Sequence, residues 1–281
     1  MIPDVLIDKD LLNWIEEDLP MWDVSAQIMP IKETTAKIIS KQEGTICGVT
    51  VIQHIFKKFG VKMESMLTDG DTISQGDTVC TIQGLSKNIL QAERIVLNIF
   101  SHMSGIATTT RRYQDVLEEN GSKAKIAGTR KTLPGLRKYE KWAIQCGGGD
   151  THRTSLSDMV MFKENHIAAF GSISQALTKI RSIISFSTKV EIEVRDLNEA
   201  EEAARSQADI IMLDNFNLTD IKPACKAIRD INPDIIIEVS GNVTYDSLQE
   251  LSKFDLDIIS SGKLTHSVNA FDLSLLFDNV I

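Results

Sequence analysis

Residues 129–153 read TRKTLPGLRKYEKWAIQCGGGDTHR. Arg130, Lys131, Arg137, Lys138, Lys141 and Arg153 face only Glu140 and Asp150 here, a local charge of +4 before His152 is considered, in a chain of formal net charge −9. Cations packed this closely repel one another within a Debye length of roughly 8 Å. Such a run needs counter-anions, either the protein's own carboxylates or a bound ligand. Arg130, Arg153 and, upstream, Arg94 carry forked donors that suit carboxylate or phosphate, whereas Lys131 and Lys163 are compact point charges. Taken singly, each is equally well read as one half of a weak surface ion pair. Gathered at one place, they would take a polyanionic ligand.

Other residue types share this pattern. His152 and Arg153 follow three glycines, which either form a tight turn or let backbone amides approach an anion. Glu193 and Asp214 end successive apolar runs and suit Mg²⁺ held through oxygen, directly or through water. Internal pairing with Lys131 or Lys163 is the alternative. Ser240-Gly241-Asn242 and Ser261-Gly262 end the last two runs, where backbone amides commonly bind phosphate, although turns alone also explain them.

The elements that must position these residues follow from periodicity. Residues 4–19 have helical spacing, with Pro20 as a stop. TTAKIISKQEGTICGV and VKMESMLTDGDTISQGDTVCTIQG alternate as strands broken by Asp-Gly and Gly-Asp turns, with a helical VTVIQHIFKKFG between them. From Lys87 to Glu119 the spacing is helical again, and Ser104-Gly105 predicts two helices joined there. Beyond residue 123, short apolar runs alternate with amphipathic helices: KAKIAGTR, DMVMFKENH, KVEIEV, ADIIMLDN, DIIIEVSGN and DLDIISSG. Nearly all-apolar strands mark a parallel sheet buried on both faces. The fold class is α/β: a small N-terminal α+β domain, on which the closing segment from Lys263 packs back, and a (β/α) barrel as the economical closure of the strands beyond residue 123. In a parallel barrel the strand C-termini share one rim, so Arg130-Lys131, Lys163 and His166, Glu193, Asp214-Asn215, Glu238 with Ser240-Gly241, and Ser261-Gly262 would converge on one pocket.

Composition sets the outer bounds. A chain of 281 residues, 42% apolar, is long enough for two domains with sizeable cores. A pI near 5.1 argues against a dedicated nucleic-acid binder. Cys47, Cys80, Cys146 and Cys225 are widely spaced, so free buried thiols are expected rather than a zinc site or disulfides. The first twenty residues carry early acids and no sustained apolar run, so neither signal peptide nor membrane span is expected, and a reducing cytoplasm is the expected location.

The motifs ERIVLNIFSHMSGIATTT, TRKTLPGLRKYEKWAIQCGGGDTHRTSLSDMVMFKENH, VEIEV, IIMLDN, EVSGN and DIISSGKLTHS, in this order, resemble quinolinate phosphoribosyltransferase, also called nicotinate-nucleotide diphosphorylase (carboxylating). The resemblance implies transfer of phosphoribose from 5-phosphoribosyl 1-diphosphate to quinolinate with loss of CO₂, in de novo NAD synthesis. It implies an N-terminal α/β sandwich over 1–106, with 267–281 packing back on it, an incomplete TIM-like α/β barrel over 107–266, Mg²⁺, and a homodimer, or a multiple of one, with shared active sites. Arg94 would reach across from the partner chain, while Arg130, His152, Arg153 and Lys163 would hold the two pyridine carboxylates. Lys131, Glu193 and Asp214 would be catalytic, the last two facing ribose and the Mg²⁺-diphosphate. Ser240, Gly241, Asn242, Ser261 and Gly262 would hold the 5-phosphate.

Rival readings are weaker. A paralogue linked to molybdenum transport shares the barrel, but Arg94 and the unbroken TRKT and GGGDTHR motifs favour a dicarboxylate. Nicotinate phosphoribosyltransferase binds a single carboxylate and would need fewer cations. DGDTISQGDTVCTIQG has the turns of a biotinyl or lipoyl carrier but no hairpin bearing a modifiable lysine. A nucleic-acid patch would call for aromatics beyond Tyr139 and Trp142.

Overall fold

A computed structural model describes residues 2–278. Its strands in chain order are β1 Glu33–Ser40, β2 Gly44–Thr45, β3 Lys62–Glu64, β4 Thr72–Ile73, β5 Thr78–Leu85, β6 Lys125–Ala127, β7 Val160–Phe162, β8 Val190–Val194, β9 Ile210–Asp214, β10 Ile236–Ser240, β11 Ile258–Ser260 and β12 Leu273–Phe277. The first five helices are α1 Asp4–Asp18, α2 Val49–Lys58, α3 Ser86–Glu119, α4 Arg137–Cys146 and α5 Glu164–Phe170. Two compact units contain them. One comprises 1–111, 132–148 and 267–281; the other comprises 112–131 and 149–266.

The first unit holds an antiparallel sheet in the order β12-β1-β5-β3. Strand β12 pairs with β1 from Ala36↔Phe277 to Ser40↔Leu273, so the closing segment adds a strand to this sheet. Residues 279–281 of that expected segment lie outside the described residues. The predicted break at Ser104-Gly105 is absent, and α3 is one helix. The two small residues serve packing instead. Ser104 Oγ accepts from the Cys47 amide and donates to the Cys47 carbonyl, and a Cβ on Gly105 would stand 2.2 Å from the Asn269 carbonyl oxygen.

Residues 132–148 also pack in this first unit, which divides the cation-rich run. Lys138 pairs with Asp10 at 2.6 Å, and the fully buried Glu140 takes the His102 ring at 2.8 Å. Lys138 and Glu140 on α4 therefore find their partners within this unit. Cys47, Cys80 and Cys225 are buried free thiols, whereas Cys146 is half-buried and lies with Cys47 and Asp69 so that one ligand atom from each falls within 4.8 Å of the others.

The second unit holds a six-stranded sheet in the order β6-β11-β10-β9-β8-β7, with every pairing parallel. Strands β6 and β7 stand at its two ends, which makes it an incomplete barrel. One face of the sheet buries Val190, Ile192 and Val194 on β8, Ile211 and Leu213 on β9, and Ile237 and Val239 on β10; the other buries Ile210 and Met212 on β9 together with the acids Glu191 and Glu238. Covering helices begin at side-chain caps, which satisfy amides that the first helical turn leaves unpaired. Ser172 accepts from Gln175 before Ile173–Arg181, and Asp196 accepts from Glu199 before Leu197–Arg205. The strand predicted over DMVMFKENH stops at Phe162, because Glu164 already starts α5 with Lys163 at its N-cap.

Candidate active site

At the C-terminal ends of these strands lies a cavity of about 710 Å³, built entirely from the second unit. Arg130 and Lys131 enter it after β6, Lys163 after β7, and Glu193 from β8. Asp214 ends β9, and Ser240, Gly241 and Asn242 follow on from β10. Ser261 and Gly262 follow β11, and His152 and Arg153 come from the loop before β7. Parallel register explains the convergence: Glu193 is level with Met212, and Asp214 with Ser240.

Arg94 is the exception. It sits on α3 in the first unit, lining a separate cleft with Asp10, Trp14, Asp18, Pro134 and Gly135. The glycine triplet does not line the cavity. A Cβ on Gly147 would lie 2.4 Å from the Ala107 carbonyl oxygen, and Gly148 has φ +85°, so here the glycines serve close packing and a turn.

The cations are held under mutual repulsion. Burial, then the Arg130 charge, lowers the pKa of the Arg153 guanidinium, although nearby carboxylates pull it upward. Arg153 Nη2 is braced by Met161 Sδ at 3.0 Å. Lys163 forms an ion pair with Glu193. The Lys131 carbonyl accepts from Thr265 Oγ1 at 2.6 Å, and a Cβ on Gly262 would meet Lys131 Cδ at 3.0 Å and His266 Cδ2 at 2.9 Å. Only glycine lets those two side chains close over this turn.

The opposite wall is made of strained turns. Gly241 has φ +95°, and a Cβ there would stand 2.2 Å from Asn215 Oδ1. Asn215 and Asn242 also occupy left-handed conformations, at φ 52° and 45°. Asn215 Nδ2 donates to Asp214 Oδ2 at 2.9 Å, and the Asn215 amide donates to the Ser240 carbonyl at 3.0 Å. Left-handed backbone turns peptide N–H groups into concave, anion-accepting shapes.

Glu191 escaped the sequence reading, and Glu238 entered it only as one of the polar strand ends, with no role. Glu191 on β8 is fully buried with no hydrogen-bond partner, and Glu238 on β10 is 2% exposed at the cavity floor. His152 Nε2 lies 3.2 Å from Glu238 Oε2 and 3.6 Å from Glu191 Oε2. Burial, then the charge of Glu238, pushes the Glu191 carboxyl up to about 9. The signal in VEIEV was its alternation, which puts Glu191 on the same strand face as Glu193 and opposite Val190, Ile192 and Val194.

A parallel, barrel-like α/β sheet with a cationic, carboxylate-bearing mouth defines a barrel protein built to take anions. The family comparisons agree. A model described as quinolinate phosphoribosyl transferase, C-terminal domain, matches residues 106–276, and its N-terminal counterpart matches 23–104. The chain is 43% identical over 259 residues to a probable nicotinate-nucleotide pyrophosphorylase [carboxylating] of Archaeoglobus fulgidus, covering 92% of this chain and 98% of that one. It is 37% identical over 290 residues to the nicotinate-nucleotide pyrophosphorylase [carboxylating] of Dictyostelium discoideum, covering 98% and 97%. The solved nicotinate-nucleotide pyrophosphorylase of Francisella tularensis superposes with a TM-score of 0.94 at 33% identity, covering 99% of this chain and 98% of that one. The chain belongs to the quinolinate phosphoribosyl transferase family.

Proposed function

We propose that this chain transfers phosphoribose from 5-phosphoribosyl 1-diphosphate to quinolinate, releasing diphosphate and CO₂ and forming nicotinate mononucleotide for NAD synthesis. The observation that carries the reading is the single cavity that gathers Arg130, Lys131, Arg153 and Lys163 beside Glu193 and Asp214. Quinolinate is a dianion and the phosphoribosyl donor is more heavily charged, so their meeting requires fixed positive charge in a site shielded from water.

Arg130, Arg153 and Lys163 hold the two pyridine carboxylates, with His152 on the same wall. This orients the ring nitrogen toward the anomeric carbon. The nitrogen attacks that carbon as the bond to diphosphate oxygen breaks, and positive charge develops on the ribose ring. Glu193 and Asp214 face this charge and stabilise it. Lys131 stands where the leaving oxygens gather negative charge. Amides of the Ser240-Gly241-Asn242 and Ser261-Gly262 turns take the 5-phosphate. The bond from ring C2 to its carboxylate then breaks, CO₂ leaves, and the electron pair stays at C2 beside the cationic nitrogen until a proton replaces it. Fixing both reactants in line supplies an orientation advantage of several kcal/mol in favourable systems, on the order of 7–11 at the limit.

The acidic residues also suit Mg²⁺. Glu193, Asp214 and the Asn215 amide oxygen form a hard-oxygen donor set, the chemistry this ion selects. When bound, Mg²⁺ neutralises the diphosphate and eases its departure. Because Arg94 lines a cleft of the first unit and is not among the residues lining the cavity, we further infer a homodimer or higher assembly in which Arg94 of one copy completes the site of another. Among the described residues no helix is long and apolar enough to cross a membrane. The free thiols support a cytoplasmic setting.

The test is an acceptor comparison. Purified protein with Mg²⁺ and the phosphoribosyl donor should form nicotinate mononucleotide from quinolinate. Equal product from nicotinate would contradict the reading.

A further inference from the structure

We propose that Glu238 is a positioning residue for the quinolinate carboxylates: it fixes the His152 ring, and the ring fixes the backbone that aims Arg153 into the cavity. This inference rests on the reading of the cavity as the quinolinate site.

His152 has φ 52°, a left-handed backbone that is strained for a residue with a Cβ. Surrounding bonds must hold it there. The His152 amide donates to Asp150 Oδ1 at 2.7 Å, and the Arg153 amide donates to the ring Nδ1 at 2.7 Å. A ring nitrogen that accepts a hydrogen bond carries no proton, so the ring hydrogen is on Nε2. That nitrogen faces Glu238 Oε2 at 3.2 Å, with Glu191 Oε2 at 3.6 Å on its other side. Both ring nitrogens are thus engaged inside the protein, and neither is left to donate to a substrate carboxylate. The role implied for His152 by the family resemblance is met indirectly, through Arg153.

Glu238 is itself held. Ser260 Oγ on β11 donates to Glu238 Oε1, which leaves Oε2 for the ring. Its side chain points away from the face that buries Ile237 and Val239 and toward the cavity, where it is 2% exposed. A carboxylate at this depth disfavours folding unless its oxygens are paired, and here Ser260 on β11 takes one oxygen and His152 the other. The sequence Ser260, Glu238, His152, Arg153 therefore ties the barrel floor to the guanidinium that Met161 braces from the far side. Side chains locked in this way hold a binding group within the narrow tolerance that recognition needs.

The experiment separates KM values. Glu238→Ala should raise the KM for quinolinate roughly ten- to a hundredfold, the scale of one charge-assisted bond, and move the KM for the phosphoribosyl donor less than about twofold. Glu238→Gln keeps an acceptor oxygen for Nε2–H and should recover most of the loss. The double variant Glu238→Ala/His152→Ala should be no worse than His152→Ala alone, since both changes break the same connection. Equal rises in both KM values, a glutamine variant as poor as the alanine one, or additive losses would each overturn the proposal.

A second measurement needs no turnover. Long-range ¹H–¹⁵N spectra of the full chain should show His152 with its proton on Nε2, and Glu238→Ala should shift the ring toward the other tautomer. A parent ring protonated on Nδ1 defeats the inference even if carboxylating activity is present. An Nε2–H ring coupled to Glu238 upholds it even if the acceptor proves not to be quinolinate. Where Glu238→Ala does not fold, the parent spectrum and Glu238→Gln decide the case.

Discussion

Lys163 and Glu193 are joined by an ion pair on the wall of the barrel cavity, the ammonium from the N-cap of α5 and the carboxylate from β8. Each is a charge that the proposed reaction needs elsewhere. A quinolinate carboxylate that takes Lys163 frees Glu193 to face the ribose, so binding of the acceptor prepares the carboxylate that stabilises the developing cation. Lys163→Met should therefore weaken quinolinate binding by about tenfold or more, the scale of a lost charge-assisted bond. Glu193→Gln should leave that binding equal or tighter while lowering kcat. Calorimetry with quinolinate, set beside steady-state rates, separates the two outcomes; parallel losses of affinity in both variants would remove the exchange.

The buried Glu191 makes stability depend on pH. Its carboxyl titrates near 9 in the folded chain and near the ordinary 4.5 when unfolded. Between those values the folded state holds the extra proton, so stability is full below the lower value and falls as pH rises through the window. Thermal melts from about pH 5 to about pH 9 should show Tm declining more steeply in the parent than in Glu191→Gln. Parallel curves would show that Glu191 is not the group responsible.

Backbone strain at the phosphate wall gives a third expectation. Ala at position 241 must adopt φ +95° and bring its Cβ within 2.2 Å of Asn215 Oδ1. Gly241→Ala should destabilise the chain by about 1–3 kcal/mol, from the left-handed backbone and the overpacking together. It should also raise the KM for the phosphoribosyl donor more than that for quinolinate. Denaturant melts and the two KM values check this.

Arg94 supplies the test of assembly. Arg94→Ala and Arg153→Ala chains, each inactive alone, should regain part of the parental activity when mixed and reassembled, because some sites then combine intact residues from both chains. No recovery in demonstrably mixed dimers would remove the shared-site reading.

Much of this architecture was legible in the sequence because buried parallel strands leave a plain trace. VEIEV and IIMLD read as strands, and their register places Glu193 and Asp214 at one mouth. What stayed hidden depends on contacts across long stretches of chain. Gly105 looked like a helix break, yet it is the point where α3 meets the backbone of Asn269. The run at 129–153 looked like one cationic patch, although Lys138 and Glu140 settle their charges with Asp10 and His102. Glu191 and Glu238 were visible as acids amid aliphatics, but their shared partner, His152, lies in a distant loop.

The measurement that bears most directly on the central claim uses quinolinate labelled at the carboxylate beside the ring nitrogen. With parent protein, Mg²⁺ and the phosphoribosyl donor, labelled CO₂ should appear in step with nicotinate mononucleotide, and neither should form when the donor is left out. Nucleotide that retains the label, or CO₂ released without the donor, would contradict the account.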